Sequence, residues 1–209
     1  CSGLMSFRRN LYPLFFVLTF LSIRVLWGVS AVALDIQKIW GPVPLANGKG
    51  ISSLTNVKAD SDGKTGGWAI WRSSQFGVPK YFAGRFDAEG NPPATTTGIP
   101  LFGGKELESD AELTSGLSQE AYVLVRSRSA DGSSLHMQMI TEEGRLAFGK
   151  KGLRVSSVTG EAFSFGLDAT PREVCAVWAE KIDGKYSLFY TRIPHGATRP
   201  EFIQVTLAS

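Results

Sequence analysis

Three short apolar runs recur along the chain at nearly equal intervals: Trp68–Trp71, Ala121–Val125 and Val174–Ala179. Setting Trp71 on Val125, and Val125 on Trp178, gives offsets of 54 and 53 residues. The same offsets carry Tyr81–Phe86 onto Leu135–Ile140 and then onto Leu188–Ile193. They also place Gly90 on Gly144, and Gly98-Ile99 on Gly152-Leu153. Agreement at several separated points is hard to obtain by chance. Self-similarity at a fixed period decides architecture before any single motif does.

Each unit holds four runs suited to strands, separated by turn residues. In the first unit these are Leu54–Ala59, Trp68–Arg72, Tyr81–Phe86 and Gly98–Phe102. Asp60-Ser61-Asp62-Gly63 and Asp87-Ala88-Glu89-Gly90-Asn91 supply turns. Asp131-Gly132 and Asp183-Gly184 mark the turn between the second and third strands of the later units. The apolar runs are too short for helices and rich in aromatic and β-branched residues.

The second strand of each unit is apolar at consecutive positions instead of alternating, which predicts cover on both of its faces. An ordinary two-layer sandwich leaves one face wet and shows alternation. Four strands in a period near 50 residues fit the blade of a β-propeller, whose sheets press against one another around an axis. An immunoglobulin-like array needs about 100 residues per unit. The expected fold is therefore all-β: three four-stranded antiparallel blades at 50–102, 103–156 and 157–209. Residues 36–46 align with the fourth strand of a unit lacking its first three, and are expected to form a stray strand. Propellers typically close with four to eight blades. The expectation is thus an incomplete propeller, either a fragment or a chain that completes itself by self-association.

The units resemble degenerate copies of a repeat found in secreted bacterial β-propellers. Trp71 and Trp178 match the tryptophan that ends its second strand. Phe82-Ala83-Gly84-Arg85-Phe86-Asp87-Ala88-Glu89-Gly90 matches its third strand and following turn. Trp40-Gly41 and Phe148-Gly149 match a later Trp-Gly pair. The likeness covers about Ile39 to Leu207, and it implies fold and export more than activity. The acidic-x-Arg element that follows the tryptophan is replaced by Arg72-Ser73-Ser74 and Ala179-Glu180-Lys181. Any contact made by that element is in doubt here.

Residues 1–33 read as a signal segment. Arg8-Arg9 precede an apolar run from Leu11 to Ile23, and Ala31-Val32-Ala33 has the spacing of a signal-peptidase site, with cleavage after Ala33. A retained anchor is the rival reading, since Leu11 to Leu34 is long enough to span a bilayer. Arg24 in mid-span argues against it. A lipidated Cys1 is a third reading. Met5 is the expected translational start.

The net charge of +3 comes entirely from Arg8, Arg9 and Arg24, so the rest of the chain is neutral. Nothing in it suggests the net-positive face a nucleic-acid binder normally carries, and no nucleic-acid partner is expected. With 43% hydrophobic and 20% charged residues, the remainder is the composition of a folded chain, not a disordered one. Cys1 and Cys175 make no disulfide framework, and no Cys/His spacing suits zinc.

Catalytic chemistry is sparse. His136 and His195 are the only histidines, they fall in different units, and no Gly-x-Ser-x-Gly elbow frames a nucleophile. Asp60-Ser61-Asp62-Gly63 is a partial calcium loop at most, because Lys64 and Thr65 follow where oxygen ligands are needed. Glu142-Glu143 reads as a solvated hairpin tip. Trp68, Trp71, Tyr81, Phe82 and Trp178 fall in core register, and Phe76 is a weak loop-side contact candidate. No catalytic, cofactor or metal residue is assigned.

The expected function is a non-enzymatic secreted, periplasmic or cell-surface scaffold that binds protein or glycan through propeller loops. Its only membrane contact is through the signal or anchor segment. The alternative is a secreted propeller enzyme of glycosidase or lyase type, with catalytic residues in other blades. A paired carboxylate on the innermost strands would favour the enzyme.

Overall fold

The computed structural model describes residues 54–64, 66–74, 77–91, 98–104, 106–157, 160–195 and 197, together with the backbone of 205–208. The chain divides into two compact units, 1–42 and 43–209, and every described residue belongs to the second. The signal segment, the stray strand at 36–46, Trp40-Gly41 and Phe76 lie outside the described residues.

Among the described residues there is no helix, and the strands form three four-stranded antiparallel sheets. Sheet 1 consists of β1 (Leu54–Ser61), β2 (Gly66–Ser73), β3 (Lys80–Asp87) and β4 (Ile99–Pro100). Sheet 2 consists of β5 (Leu107–Ser115), β6 (Ala121–Ser129), β7 (Gly132–Ile140) and β8 (Leu153–Arg154). Sheet 3 consists of β9 (Glu161–Ala169), β10 (Glu173–Ile182), β11 (Lys185–Pro194) and β12 (Val205–Ala208). Each sheet is an up-and-down meander in chain order. Successive meanders pack face to face, with β1 beside β5 and β5 beside β9. This is a three-bladed run of β-propeller architecture.

The 54-residue repeat is realised in hydrogen bonds as well as in sequence. After β3, Asp87 N–H donates to Asn91 and Gly90 N–H to Asp87. After β7, Thr141 N–H donates to Arg145 and Gly144 N–H to Thr141, at the equivalent positions. Gly90 and Gly144 both have φ of 80°, a conformation that glycine adopts without Cβ strain. Beyond the short fourth strands, Leu101 N–H reaches the Tyr81 carbonyl and Val155 N–H reaches that of Leu135. The fourth strand is thus shorter than the expected Gly98–Phe102, but Leu101 and Phe102 are buried just past its end.

β6 accounts for the burial on both faces. Ala121, Val123 and Val125 face sheet 1 and pack with Trp68, Ile70, Tyr81 and Ala83. The intervening Tyr122 and Leu124 face sheet 3 and pack with Val174, Ala176 and Trp178. Side chains alternate across a strand, so an unbroken apolar run serves two interfaces at once. Each fully buried large aliphatic or aromatic side chain contributes about 1.5–3 kcal/mol.

β2 is likewise buried from Gly67 to Trp71. β10 departs from the expectation. Its residues alternate, with Val174, Ala176, Trp178 and Glu180 buried while Cys175, Val177 and Ala179 are only half-buried. The apolar run of β10 has the composition of a doubly covered strand, but among the described residues only one sheet packs against it. Cover on the second face depends on a neighbour and not on the strand.

Candidate functional site

The residues singled out in the sequence do not converge on one site. Trp68 donates its indole N–H to the Gln119 carbonyl at 2.8 Å. Trp178 donates to Glu180 at 2.6 Å and stacks on Phe189. Trp71 stacks on Phe82, and a Cβ added at Gly84 or Gly98 would come within 3.1 Å or 2.4 Å of its ring. All five core-register aromatic residues are buried. His136 on β7 lies against Ser134 and Phe102, and burial pushes its imidazole below the ordinary value. His195 lies at the end of β11, with Nε2 2.6 Å from the Thr170 carbonyl and Nδ1 3.3 Å from Glu120.

The carboxylates of the Asp60–Gly63 turn diverge. Asp60 accepts from Ser115 N–H at 2.7 Å, whereas Asp62 accepts from Lys64 and Gly66 N–H and lies 3.5 Å from Arg85. They act as turn and interface acceptors. Glu142 reaches Arg85 across the blade interface, and Glu143 bonds Thr141 and Arg145.

A different cluster emerges on the first strand of each sheet. These strands are sheet edges, and each carries a break in register at nearly the same height. On β1 the break spans Asn56 and Val57, between Thr55 and Lys58. On β5 it falls at Ser109, and on β9 at Phe163. A bulge re-aims side chains and is over-represented at edges and beside binding sites. Here the bulge residues Asn56 and Phe163, with Asp110 next to the β5 bulge, line one open groove of about 380 Å³ bounded by β1, β5, β9 and Tyr81 of β3. Asn56 has φ of 51°, a left-handed conformation that Asn tolerates better than most residues.

Hydrogen bonds lace the bulges together. The Asn56 amide donates to the Tyr81 hydroxyl and to the Ser109 carbonyl, both at 3.2 Å. Arg126 on β6 donates from Nε to the Ser109 hydroxyl and from Nη1 to the Phe163 carbonyl. Its Nη2 is paired with Asp110. Lys58 Nζ meets Glu112 at 2.6 Å across the groove. Burial holds the Tyr81 phenol above its ordinary value of 10 against the opposing pull of the Asn56 amide, so it stays a neutral hydrogen-bonding group.

The groove and the groups around it therefore contain two cations and two carboxylates, with amide and phenol groups between them and the rings of Phe163 and Phe165 on the β9 wall. Asp110 and Glu112 are two apart on one strand, so both project from the same face. None of this was legible in the sequence. A bulge is a property of pairing between strands, and the only local cue is an Asn at the β1 break.

No family model matches the chain, and no curated protein sequence matches it. Among solved structures, the chain is similar to the crystal structure of an endo-arabinase from Bacteroides thetaiotaomicron VPI-5482, with 13% identity and a TM-score of 0.45. The alignment covers 78% of this chain and 66% of the arabinase chain, just under two thirds of its length. A likeness this distant carries no argument about activity.

Proposed function

We propose that the chain is an exported binding module of β-propeller type, whose ligand occupies the groove between β1, β5 and β9. The observation that carries this reading is the convergence of three edge strands on one groove at their register breaks, through Asn56, Asp110 and Phe163. A purely structural sheet has no need to aim Asn56, Asp110 and Phe163 at a shared space. Export is supported by the order of positive, apolar and small residues in 5–33, and the repeat's kinship with secreted bacterial propellers by Phe82–Gly90.

The second reading is a glycosidase-type enzyme, favoured by Asp110 and Glu112 on one groove wall. Glycoside hydrolysis by two carboxyl groups needs one of them held as a proton donor. Here Asp110 is paired with Arg126 and Glu112 with Lys58, and neither is buried. The geometry suits recognition better than acid–base work.

Titration calorimetry of the chain against a panel of polysaccharides and peptides, with parallel assay for released reducing ends, tests both readings. Binding without turnover, weakened at least tenfold by Lys58→Met or Glu112→Gln, is the expected result. Turnover abolished by Asp110→Asn or Glu112→Gln would replace the module with the enzyme. Binding untouched by every groove variant would move the site elsewhere.

A further inference from the structure

Just beyond β11, the ring of His195 is wedged between two other hairpins. Its Nε2 lies 2.6 Å from the Thr170 carbonyl in the β9–β10 turn, and its Nδ1 lies 3.3 Å from Glu120 Oε1 in the β5–β6 turn. The Tyr122 ring of β6 meets the imidazole edge to face, with centroids 6.1 Å apart. His195 N–H donates to the Arg172 carbonyl, so the backbone is held as well. The side chains of His195 and Glu120 are only 13% and 4% exposed, so water does little to screen their contact.

The surroundings of the two ring nitrogens do not suit a neutral imidazole. A carbonyl only accepts, so the 2.6 Å contact assigns a proton to Nε2. A neutral ring then presents a bare lone pair at Nδ1, facing a carboxylate oxygen. Neither Nδ1 nor Glu120 Oε1 has a hydrogen-bond partner among the described residues. The carboxylate is seated: Oε2 accepts from Ser118 N–H at 2.8 Å, and a Cβ at Gly116 would lie 2.2 Å from Oε1. A second proton on the ring turns this opposition into a charge-assisted pair. The other charges of the β9–β10 turn do not compete for it, since the Arg172 side chain is exposed and Glu173 pairs with Arg192.

We infer that His195 is a proton-dependent clamp between sheets 2 and 3, closed when a second ring proton pairs Nδ1 with Glu120 and released when that proton leaves. Release leaves a buried carboxylate opposite a lone pair, which costs more than losing an exposed ion pair. The clamp therefore adds stability on the acid side of the imidazole titration and loses it as pH rises through that titration, in the interval where histidine acts as a switch. β5 and β9 each supply a wall of the groove, so the clamp joins the hairpins that carry those walls. It requires no particular ligand and stands apart from what the groove binds.

The test is hydrogen–deuterium exchange of the chain at about pH 5.5 and about pH 8, corrected for intrinsic rates. Peptides from β9, β10 and β11 should be protected on the order of tenfold better at the lower pH. His195→Gln keeps an amide N–H for the Thr170 carbonyl but does not titrate, and should abolish the difference. Glu120→Gln should reverse it, because its amide keeps an acceptor for Ser118 N–H and offers a donor to the bare Nδ1 of the neutral ring. Glu108 and His136, at the interface of sheets 1 and 2, are common to all three proteins and cancel from the comparison. A difference that persists in His195→Gln, or keeps its sign in Glu120→Gln, overturns the clamp. Should a variant fail to fold, nitrogen NMR of the intact chain decides, with His136→Asn assigning the signals of the two histidines. A neutral ring protonated at Nε2 upholds the clamp. One protonated at Nδ1 overturns it, since Glu120 is then satisfied without a second proton.

Discussion

Sheets 2 and 3 are built from the same repeat and meet different surroundings. In sheet 2, Tyr122 and Leu124 on β6 and Leu135, Met137 and Met139 on β7 are packed against sheet 3. The equivalent positions of sheet 3, shifted by 53, are Cys175 and Val177 on β10 and Leu188, Tyr190 and Arg192 on β11. These are half-buried or exposed. Tyr122 has become Cys, Leu124 has become Val, and Met139 has become Arg. The face in sheet 3 is smaller and more polar than its counterpart, yet it keeps Val177 and Leu188. The difference teaches that the repeat sets the strand, while the neighbouring sheet sets how much of its apolar surface is removed from water.

The sharpest way to break this contrast is a matched pair of truncations. Leu124→Ala should cost about 2–5 kcal/mol, because the deleted methyl groups are fully enclosed and leave a cavity. Val177→Ala, at the equivalent height on sheet 3, should cost less than about 1 kcal/mol. Urea unfolding followed by tryptophan fluorescence measures both. Equal costs would mean that the outer face of sheet 3 is as well covered in solution as that of sheet 2.

Next in size is a glycine shared by the first two sheets. Gly152 has φ of 64°, and a Cβ there would lie 2.3 Å from the Phe102 ring and 2.7 Å from the Met137 carbonyl. Gly152→Ala should therefore destabilise by about 1–3 kcal/mol through overpacking and left-handed strain. A neutral effect in the same urea assay would show that the start of β8 yields more easily than its packing indicates.

The interface between sheets 1 and 2 also carries a pH signature. Glu108 is buried, accepts from Tyr81 N–H at 2.6 Å and meets Lys80 at 3.0 Å. Burial raises its carboxyl above the ordinary value of 4.5, against the lowering effect of those two partners. The folded state thus holds this proton more tightly than the unfolded chain does. The associated stability is fully present below pH 4.5 and is lost as pH rises through the raised folded value. Glu108→Gln should flatten that component of the stability–pH curve above pH 4.5. A curve unchanged by the substitution would assign the pH dependence to other groups.

The smallest effect is chemical. Cys175 lies half-buried on the outer face of sheet 3, 3.4 Å from the Tyr190 hydroxyl. Maleimide labelling mapped by peptide mass should modify it without denaturant. Protection until global unfolding would reveal a cover over this face and close the gap between the two sheets.

Much of the fold was legible in the sequence. The 54-residue spacing placed Gly90 over Gly144 and Tyr81 over Leu135, and the hydrogen bonds at those positions repeat accordingly. The unbroken apolar run of β6 announced its two covered faces. The same logic failed for β10, because hydrophobicity records what a strand is able to bury and not whether a partner is present. The core role of Trp68, Trp71 and Trp178 followed from register. Tyr81 is core through its ring, but its hydroxyl reaches a groove that no local pattern revealed.

The sequence by itself determined strand content, turn chemistry and repeat period, because these depend on residues close along the chain. Tertiary structure alone decided that Asn56, Ser109 and Phe163 sit at bulges, that Asn56, Asp110 and Phe163 line one groove, and that Arg126 joins two of the bulges. Those positions span more than a hundred residues and three sheets. Their meeting is set by inter-strand register and blade packing, and neither leaves a periodic trace in one strand's own residues.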